Sequence, residues 1–292
     1  MAHRLSWNAL RYRFEHALFR FAGWLFGSLS VETASAVSGT LWRYLAPFSH
    51  RHQRALTHLA MAFPDTAPDD REKIARAMWE SLGRTFGESF HLKELAESGR
   101  VTYEHKDVLE RWASQDGGKV ACAGHLGNWE LAILGISQQG AKPWSIYRPM
   151  KNPLVDADVL GMRRFLYTGG LVPKGPALPR QFLKLVRDGA TIGFLADQRD
   201  FGGVPVPLFG IPAPSTLFPA MLARSVEAPI LMVRMRRLPG VRFVQSFELL
   251  DLPRTADRKA DIEASTALVQ GAFERYIRDA PEQWMWAHRR WR

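Results

Sequence analysis

From about residue 118 onward, short apolar runs alternate with stretches whose apolar residues recur at helical spacing. Lys119–Ala123 is too short for a helix and has no polar face, which reads as a strand buried on both sides. Residues 191–196 repeat that texture, and residues 228–235 and 241–247 read as further strands. Residues 129–136, 181–188 and 259–278 carry helical patterns between and after them. Strands buried on both faces need helices on both sides of the sheet. The expected fold class is therefore α/β, a central mixed β-sheet sandwiched by helices. A helical, membrane-associating N-terminal segment precedes it.

That division places residues 1–60 in the N-terminal segment and residues 61–292 in an α/β domain. Pro64-Asp65-Thr66-Ala67-Pro68 marks a turn, after which Asp69 or Asp70 caps a helix over residues 71–95. Upstream, Arg4, Arg11, Arg13, Arg20, Arg43, Arg51 and Arg54 face only Glu15 and Glu32, a local excess of five positive charges. Phe14, Leu18, Phe21 and Leu25 share one helical face. Arg20 and Glu32 interrupt the apolar stretches before either reaches the length of a span. The pattern fits a helix lying in the headgroup region of an anionic leaflet, or a weak single anchor. No signal peptide is apparent.

Charge and cysteine content narrow the function classes. Thirty-nine Lys and Arg against 29 Asp and Glu give a formal charge of +10 across 292 residues. Such a chain is drawn to an acidic partner. Ten Trp and 17 Phe favour a membrane interface over bulk water. The single cysteine, Cys122, excludes a disulfide framework. It reads as a small side chain inside a strand, with a covalent acyl-enzyme as the alternative. No His-Glu-x-x-His or paired-histidine spacing supports a metal, so none is expected.

Chemistry concentrates where apolar runs end. The first run exits through Gly124 into His125-Leu126-Gly127-Asn128-Trp129-Glu130. Glu130, five residues on, is placed to accept a hydrogen bond from the imidazole and fix its tautomer. The pair reads as a general base for an alcohol nucleophile. The second run ends in Asp197-Gln198-Arg199, followed by a Pro/Gly-rich loop from Gly202 to Gly210 that could wall an apolar groove. Arg148, Arg163 and Arg164 lie between the two motifs and suit phosphate or a developing oxyanion. Arg234, Arg236 and Arg237 read as a strand end facing water or headgroups, and His50, His52 and His58 as a solvated surface cluster.

In order, His-Leu-Gly-Asn-Trp-Glu, Tyr-Arg-Pro-Met-Lys-Asn-Pro, Ala-Asp-Gln, Pro-Leu-Phe-Gly and the ending Ala-Pro-Glu-Gln-Trp-Met-Trp-Ala-His-Arg-Arg-Trp run along nearly the whole chain. Together these blocks resemble the late acyltransferases of lipid A biosynthesis, a lauroyl/myristoyl branch of the lysophospholipid acyltransferase-like superfamily. The resemblance implies transfer of a fatty acyl group from acyl carrier protein to a hydroxyl of a phosphorylated lipid A precursor, at the cytoplasmic face of the inner membrane. It implies catalytic roles for His125 and Glu130. It implies substrate-phosphate or transition-state binding by Arg148, Arg163 and Arg164, an acidic site position at Asp197 beside Gln198, and phosphate contacts within the Trp- and Arg-rich ending. A thioester donor requires no cofactor. A sibling acting on another glycolipid, aminolipid or lysophospholipid would use the same chemistry. A nucleic-acid-binding protein would have no use for the His125 site, so none is expected as partner.

Overall fold

Seven strands form one sheet, in the order β1-β9-β8-β2-β5-β3-β4, in the computed structural model, which describes residues 7–291. They are β1 (Val101–Glu104), β2 (Lys119–Ala123), β3 (Trp144–Tyr147), β4 (Gly170–Pro173), β5 (Thr191–Leu195), β8 (Ile230–Leu238) and β9 (Arg242–Leu250). Neighbouring strands run parallel except β8 and β9, which form a hairpin, so β9 and β1 oppose the other five. The sheet is mixed and mostly parallel.

Alternation along the central strands splits the interior into two cores. Val120, Cys122, Ile192, Phe194, Ile230 and Met232 point to one face. Ala121, Ala123, Leu231, Val233 and Met235 point to the other. Each face is covered by helices, as the double burial demands. The first takes α3 (His50–Ala62), α4 (Pro68–Glu88), α9 (Leu178–Arg187), α10 (Phe218–Ser225) and α11 (Arg258–Asp279). The second takes α5 (Leu92–Glu97), α6 (Lys106–Ala113) and α7 (Leu134–Gln138). Residue 60 falls within α3, whose Ala55 and Leu59 share a core with the sheet.

The remaining helices are α1 (Trp7–Gly27), α2 (Val31–Leu45) and α8 (Pro153–Arg163). α2 lies on α4 at very close range. A Cβ at Gly83 would stand 2.6 Å from the Ser38 carbonyl oxygen, and one at Gly87 would stand 2.5 Å from that of Ala34. The expected helix over 71–95 instead starts at Pro68, in the N1 position that proline favours, and ends at Glu88. Ala67 occupies the cap, while Asp69 and Asp70 sit in the first turn, where carboxylates oppose the helix dipole. A short 3₁₀ turn, Ser89–His91, then redirects the chain into α5.

The Gly202–Gly210 segment is not a loop walling a groove. It forms most of a β-ribbon, β6 (Val204–Leu208) against β7 (Ile211–Ser215), turning at Phe209 and Gly210, both at positive φ. Pro205 faces Pro214 and Pro207 faces Pro212, so residues lacking an N–H share pairs, while Val206 and Leu208 turn inward.

α1 packs through one face only. His16 Nε2 meets Asp158 Oδ2 of α8 at 2.9 Å, Asn152 donates to the Tyr12 carbonyl, and Phe19 and Phe26 pack on Phe90. The opposite face leaves Trp7, Leu10, Phe14, Leu18, Phe21, Trp24 and Leu25 exposed. No described helix is long and apolar enough to cross a membrane. Arg4, counted in the basic N-terminal segment, lies outside the described residues.

Two expectations about basic residues fail. His52 and His58 are buried: His52 accepts from the Trp79 indole and meets Glu72, and His58 Nδ1 meets the Trp286 carbonyl. Only His50 of that cluster is exposed. Arg237 does not face water either. It pairs with Glu88, which is fully buried.

Candidate active site

β2 and β5 are parallel neighbours with Ala123 level with Leu195, and the Ala196 amide donates to the Ala123 carbonyl. Residues two positions past each strand therefore come level at the carboxyl edge of the sheet. These are His125 and Asp197. Ligands and chemistry gather at such edges in open α/β sheets.

The carboxylate that meets the imidazole is Asp197, not Glu130. Asp197 Oδ1 lies 2.8 Å from His125 Nδ1, while Oδ2 accepts from the His125 main-chain N–H at 2.9 Å and from the Trp284 indole at 2.8 Å. Three N–H groups thus converge on one carboxylate that is only 2% exposed. Burial alone would raise its pKa, but the His125 charge and hydrogen bonds, with the indole, more than offset it and hold it at about 2. When the imidazole is neutral, an ionised Asp197 keeps the ring proton on Nδ1 and leaves the lone pair on Nε2. Gln198 Nε2 stands 3.2 Å from that Nε2, and Trp129 packs on the ring at 5.2 Å between centroids.

Glu130 has a different partner. It is buried and accepts two hydrogen bonds from Arg163, at 2.6 Å from Nε and 2.5 Å from Nη2. Burial lowers the Arg163 pKa, and the Glu130 charge overcomes that and raises it. The two are a locked bidentate pair. Asn128 directs Glu130 away from the histidine by accepting from the Glu130 main-chain N–H, which starts a 3₁₀ turn, Trp129–Leu131. The expected helix over 129–136 is broken into this turn and α7.

A second set of bonds fixes the loop carrying His125. Gly127 adopts a positive φ, where a Cβ would stand 2.7 Å from the Met235 carbonyl oxygen. Its N–H donates to Gln283, and its carbonyl accepts from Thr85 Oγ1. Asn128 Nδ2 donates to buried Glu88, which also accepts from Ser35 and from Arg237. Gln283 exchanges two hydrogen bonds with the Arg237 main chain, and Leu126 bridges to Trp284. The Trp-rich ending therefore packs against the site and supplies the indole that holds Asp197.

A cavity of about 700 Å³ opens beside the dyad. Phe19, Trp42, Trp79, Leu82, Phe86 and Phe90, from α1, α2, α4 and the following turn, make an apolar wall. Glu130, Arg148, Arg163, Gln198 and Arg199 also line it, as do Arg51 and Arg54 of α3 and Arg289 of the C-terminal segment. Arg164 is exposed at the C-terminal cap of α8 and does not line the cavity. Of the residues singled out in the sequence, His125, Asp197 and Gln198 converge, Glu130 and Arg163 pair beside them, and Arg148 lines the same cavity. The structure adds Arg51 and Arg54, and it brings to the site Trp284 and Arg289 of the ending in which phosphate contacts were expected.

The model of the bacterial lipid A biosynthesis acyltransferase family matches residues 5–292. Similar proteins include a lipid A biosynthesis lauroyltransferase of Escherichia coli strain K12, 26% identical over 259 residues, which cover 80% of this chain and 77% of that protein. A lipid A biosynthesis palmitoleoyltransferase of the same strain is 24% identical over 92% of this chain and 88% of its own length. A lipid A biosynthesis acyltransferase of Haemophilus influenzae is 24% identical over 87% and 81%. With a strand-end histidine held by a buried aspartate beside an apolar cavity, and a family match over nearly its whole length, the chain is an acyltransferase that belongs to the bacterial lipid A biosynthesis acyltransferase family.

Proposed function

We propose that the protein transfers a fatty acyl chain from acyl-acyl carrier protein to a hydroxyl of a lipid A precursor, directly and without a covalent acyl-enzyme. The observation that carries this is the His125–Asp197 dyad beside a cavity walled by six aromatic and aliphatic side chains. A base that presents its Nε2 lone pair, here facing the Gln198 amide, suits an alcohol that displaces that amide, and the apolar wall suits an acyl chain.

The acceptor hydroxyl gives its proton to His125 Nε2 as its oxygen forms a bond to the thioester carbonyl carbon. Asp197 stabilises the imidazolium that results. The carbon–sulfur bond then breaks, and the departing thiolate takes the proton back from Nε2. The Arg163 guanidinium, held by Glu130, and Arg148 contribute positive charge near the developing oxyanion. Glu130 acts by holding Arg163 rather than by touching the base. Cys122 is fully buried inside β2, and burial pushes its thiol far above the ordinary range, which removes the competing nucleophile.

The exposed apolar face of α1 supports residence on the cytoplasmic face of the inner membrane, with Trp7 and Trp24 at headgroup depth. The +10 net charge favours encounter with anionic lipid and with an acidic carrier protein. The test is mass spectrometry of tetraacylated lipid A precursor after incubation with a mixed acyl–acyl carrier protein pool, with His125→Ala in parallel. One added acyl chain, absent with the variant, is the expected result. Transfer that persists in the variant overturns the mechanism, and transfer only to other membrane lipids overturns the acceptor.

A further inference from the structure

Of the three arginines expected to take substrate phosphate, only Arg148 lines the cavity without a carboxylate partner among the described residues. Glu130 takes two of the three Arg163 guanidinium nitrogens, and Arg164 lies outside the cavity. Five arginines line the cavity without an ion pair among the described residues: Arg148 and Arg199, and a group formed by Arg51, Arg54 and Arg289. No carboxylate lies within 4 Å of Arg51, Arg54 or Arg289 among the described residues, and Arg54 has only the Ala287 carbonyl as a hydrogen-bond acceptor. They stand close together: desolvation, then the like charges of Arg289 and Arg51, lower the Arg54 pKa. Arg290, next in sequence to Arg289, shows what a structural arginine looks like here. It is fully buried, and its two terminal nitrogens donate to Pro214 O, Ser215 Oγ and Gln270 Oε1.

From this geometry we infer that Arg51, Arg54 and Arg289 form a phosphate-ester subsite in the wall of the cavity, distinct from the His125–Asp197 pair. Arg51 and Arg289 are exposed and Arg54 is partly so, so solvent screens part of their repulsion and a bound anion would relieve the rest. Guanidinium forks match phosphate oxygens, which offer several acceptors where a single carboxylate offers two. The occupant is small, because a cavity of about 700 Å³ excludes a folded acidic protein but admits a phosphorylated sugar or a pantetheine arm. The Arg54 bond to Ala287 ties α3 to the segment that carries Trp284, so the subsite and the Asp197 anchor belong to one rigid unit.

This inference rests on the acyl-transfer reading, and two sources of phosphate remain for experiment to separate: the acceptor's sugar phosphate and the phosphodiester of the donor's pantetheine arm. Arg51→Gln and Arg289→Gln would be assayed with phosphorylated and dephosphorylated acceptor, and with acyl carrier protein thioester and acyl-N-acetylcysteamine thioester, which lacks the phosphodiester. The preference in kcat/KM for one phosphate-bearing substrate over its phosphate-free counterpart should fall by about tenfold or more, or ~1.4 kcal/mol. The substrate whose preference falls is the source. Preferences unchanged on both sides overturn the subsite. In parallel, a ³¹P NMR titration of inorganic phosphate should show binding to the wild-type protein that Arg51→Gln weakens. Equal binding by the two proteins also overturns it. Wild-type protein that binds phosphate through these arginines but leaves lipid A precursor unchanged would refute the acceptor and keep the subsite.

Discussion

Replacing Asp197 with asparagine tests the centre of the site, because the three donors around the carboxylate dictate what an amide must do there. Oδ2 takes two N–H donors, His125 N and Trp284 Nε1, and Oδ1 takes one, His125 Nδ1. An asparagine has one oxygen, and the position with two donors claims it. Its NH₂ then faces Nδ1 and forces that nitrogen to accept, which moves the ring proton to Nε2 and occupies the lone pair that should receive the substrate proton. Losing the general base in this way should lower kcat by ~10²–10⁴-fold, equivalent to about 3–5 kcal/mol of barrier. Stability should fall as well. The carboxyl pKa is held at about 2 against an ordinary 3.8, a preference for the ionised folded form worth about 2 kcal/mol. Because the folded value is depressed, that stabilisation is complete above the unfolded value and fades as pH falls from about 4 to 2. Three measurements check this: steady-state kcat, urea denaturation at pH 7 and at pH 3, and imidazole ¹⁵N shifts, which should report the proton on Nδ1 in the wild type and on Nε2 in the variant. A kcat within about threefold of wild type, beside an inactive His125→Ala, would refute the argument that Asp197 sets the tautomer.

Four other outcomes follow from named contacts. Arg237→Met strands the buried Glu88 carboxylate and should cost about 3–5 kcal/mol by urea denaturation, most of it recovered when Glu88→Leu is added. Cys122→Ala should cost about 1 kcal/mol and keep kcat within about twofold, and native Cys122 should resist iodoacetamide; loss of turnover would restore the acyl-enzyme route. Burial, opposed in part by Asp197, pushes the His288 pKa down to about 4, so the unfolded chain binds its proton first and stability should fall as pH drops from about 6.5 to 4. His288→Asn should flatten that part of the stability–pH curve. A Phe14→Asp and Phe21→Asp double variant should partition at least about tenfold less into phosphatidylglycerol vesicles, since burying each ring contributes about 1.5–3 kcal/mol.

What the sequence disclosed and what it withheld follow from the range of the interactions involved. Lys119–Ala123 and the run from residue 191 were legible because a strand buried on both faces leaves an unbroken apolar signature over five residues. β3 and β4 were not, because Trp144–Tyr147 and Gly170–Pro173 are four residues long and only partly buried. The β6–β7 ribbon was hidden by its prolines, which look like loop residues until their pairing partners are known. His52 and His58 looked solvated because their partners, Trp79 and the Trp286 carbonyl, lie 27 and 228 residues away. The His125 partner shows the same limit at the point where it matters most. Proximity in sequence favoured Glu130, five residues on, over Asp197, 72 residues away. Register decides otherwise: two parallel strands paired with Ala123 level with Leu195 bring the second residue beyond each end together, whatever the chain does between them. Both strands and both polar endings were visible in the sequence, and only their adjacency was missing. In a parallel sheet the partner of a strand-end histidine is therefore best sought at the end of another buried strand, at the same offset. That rule selects Asp197 here and leaves Glu130 free to hold Arg163.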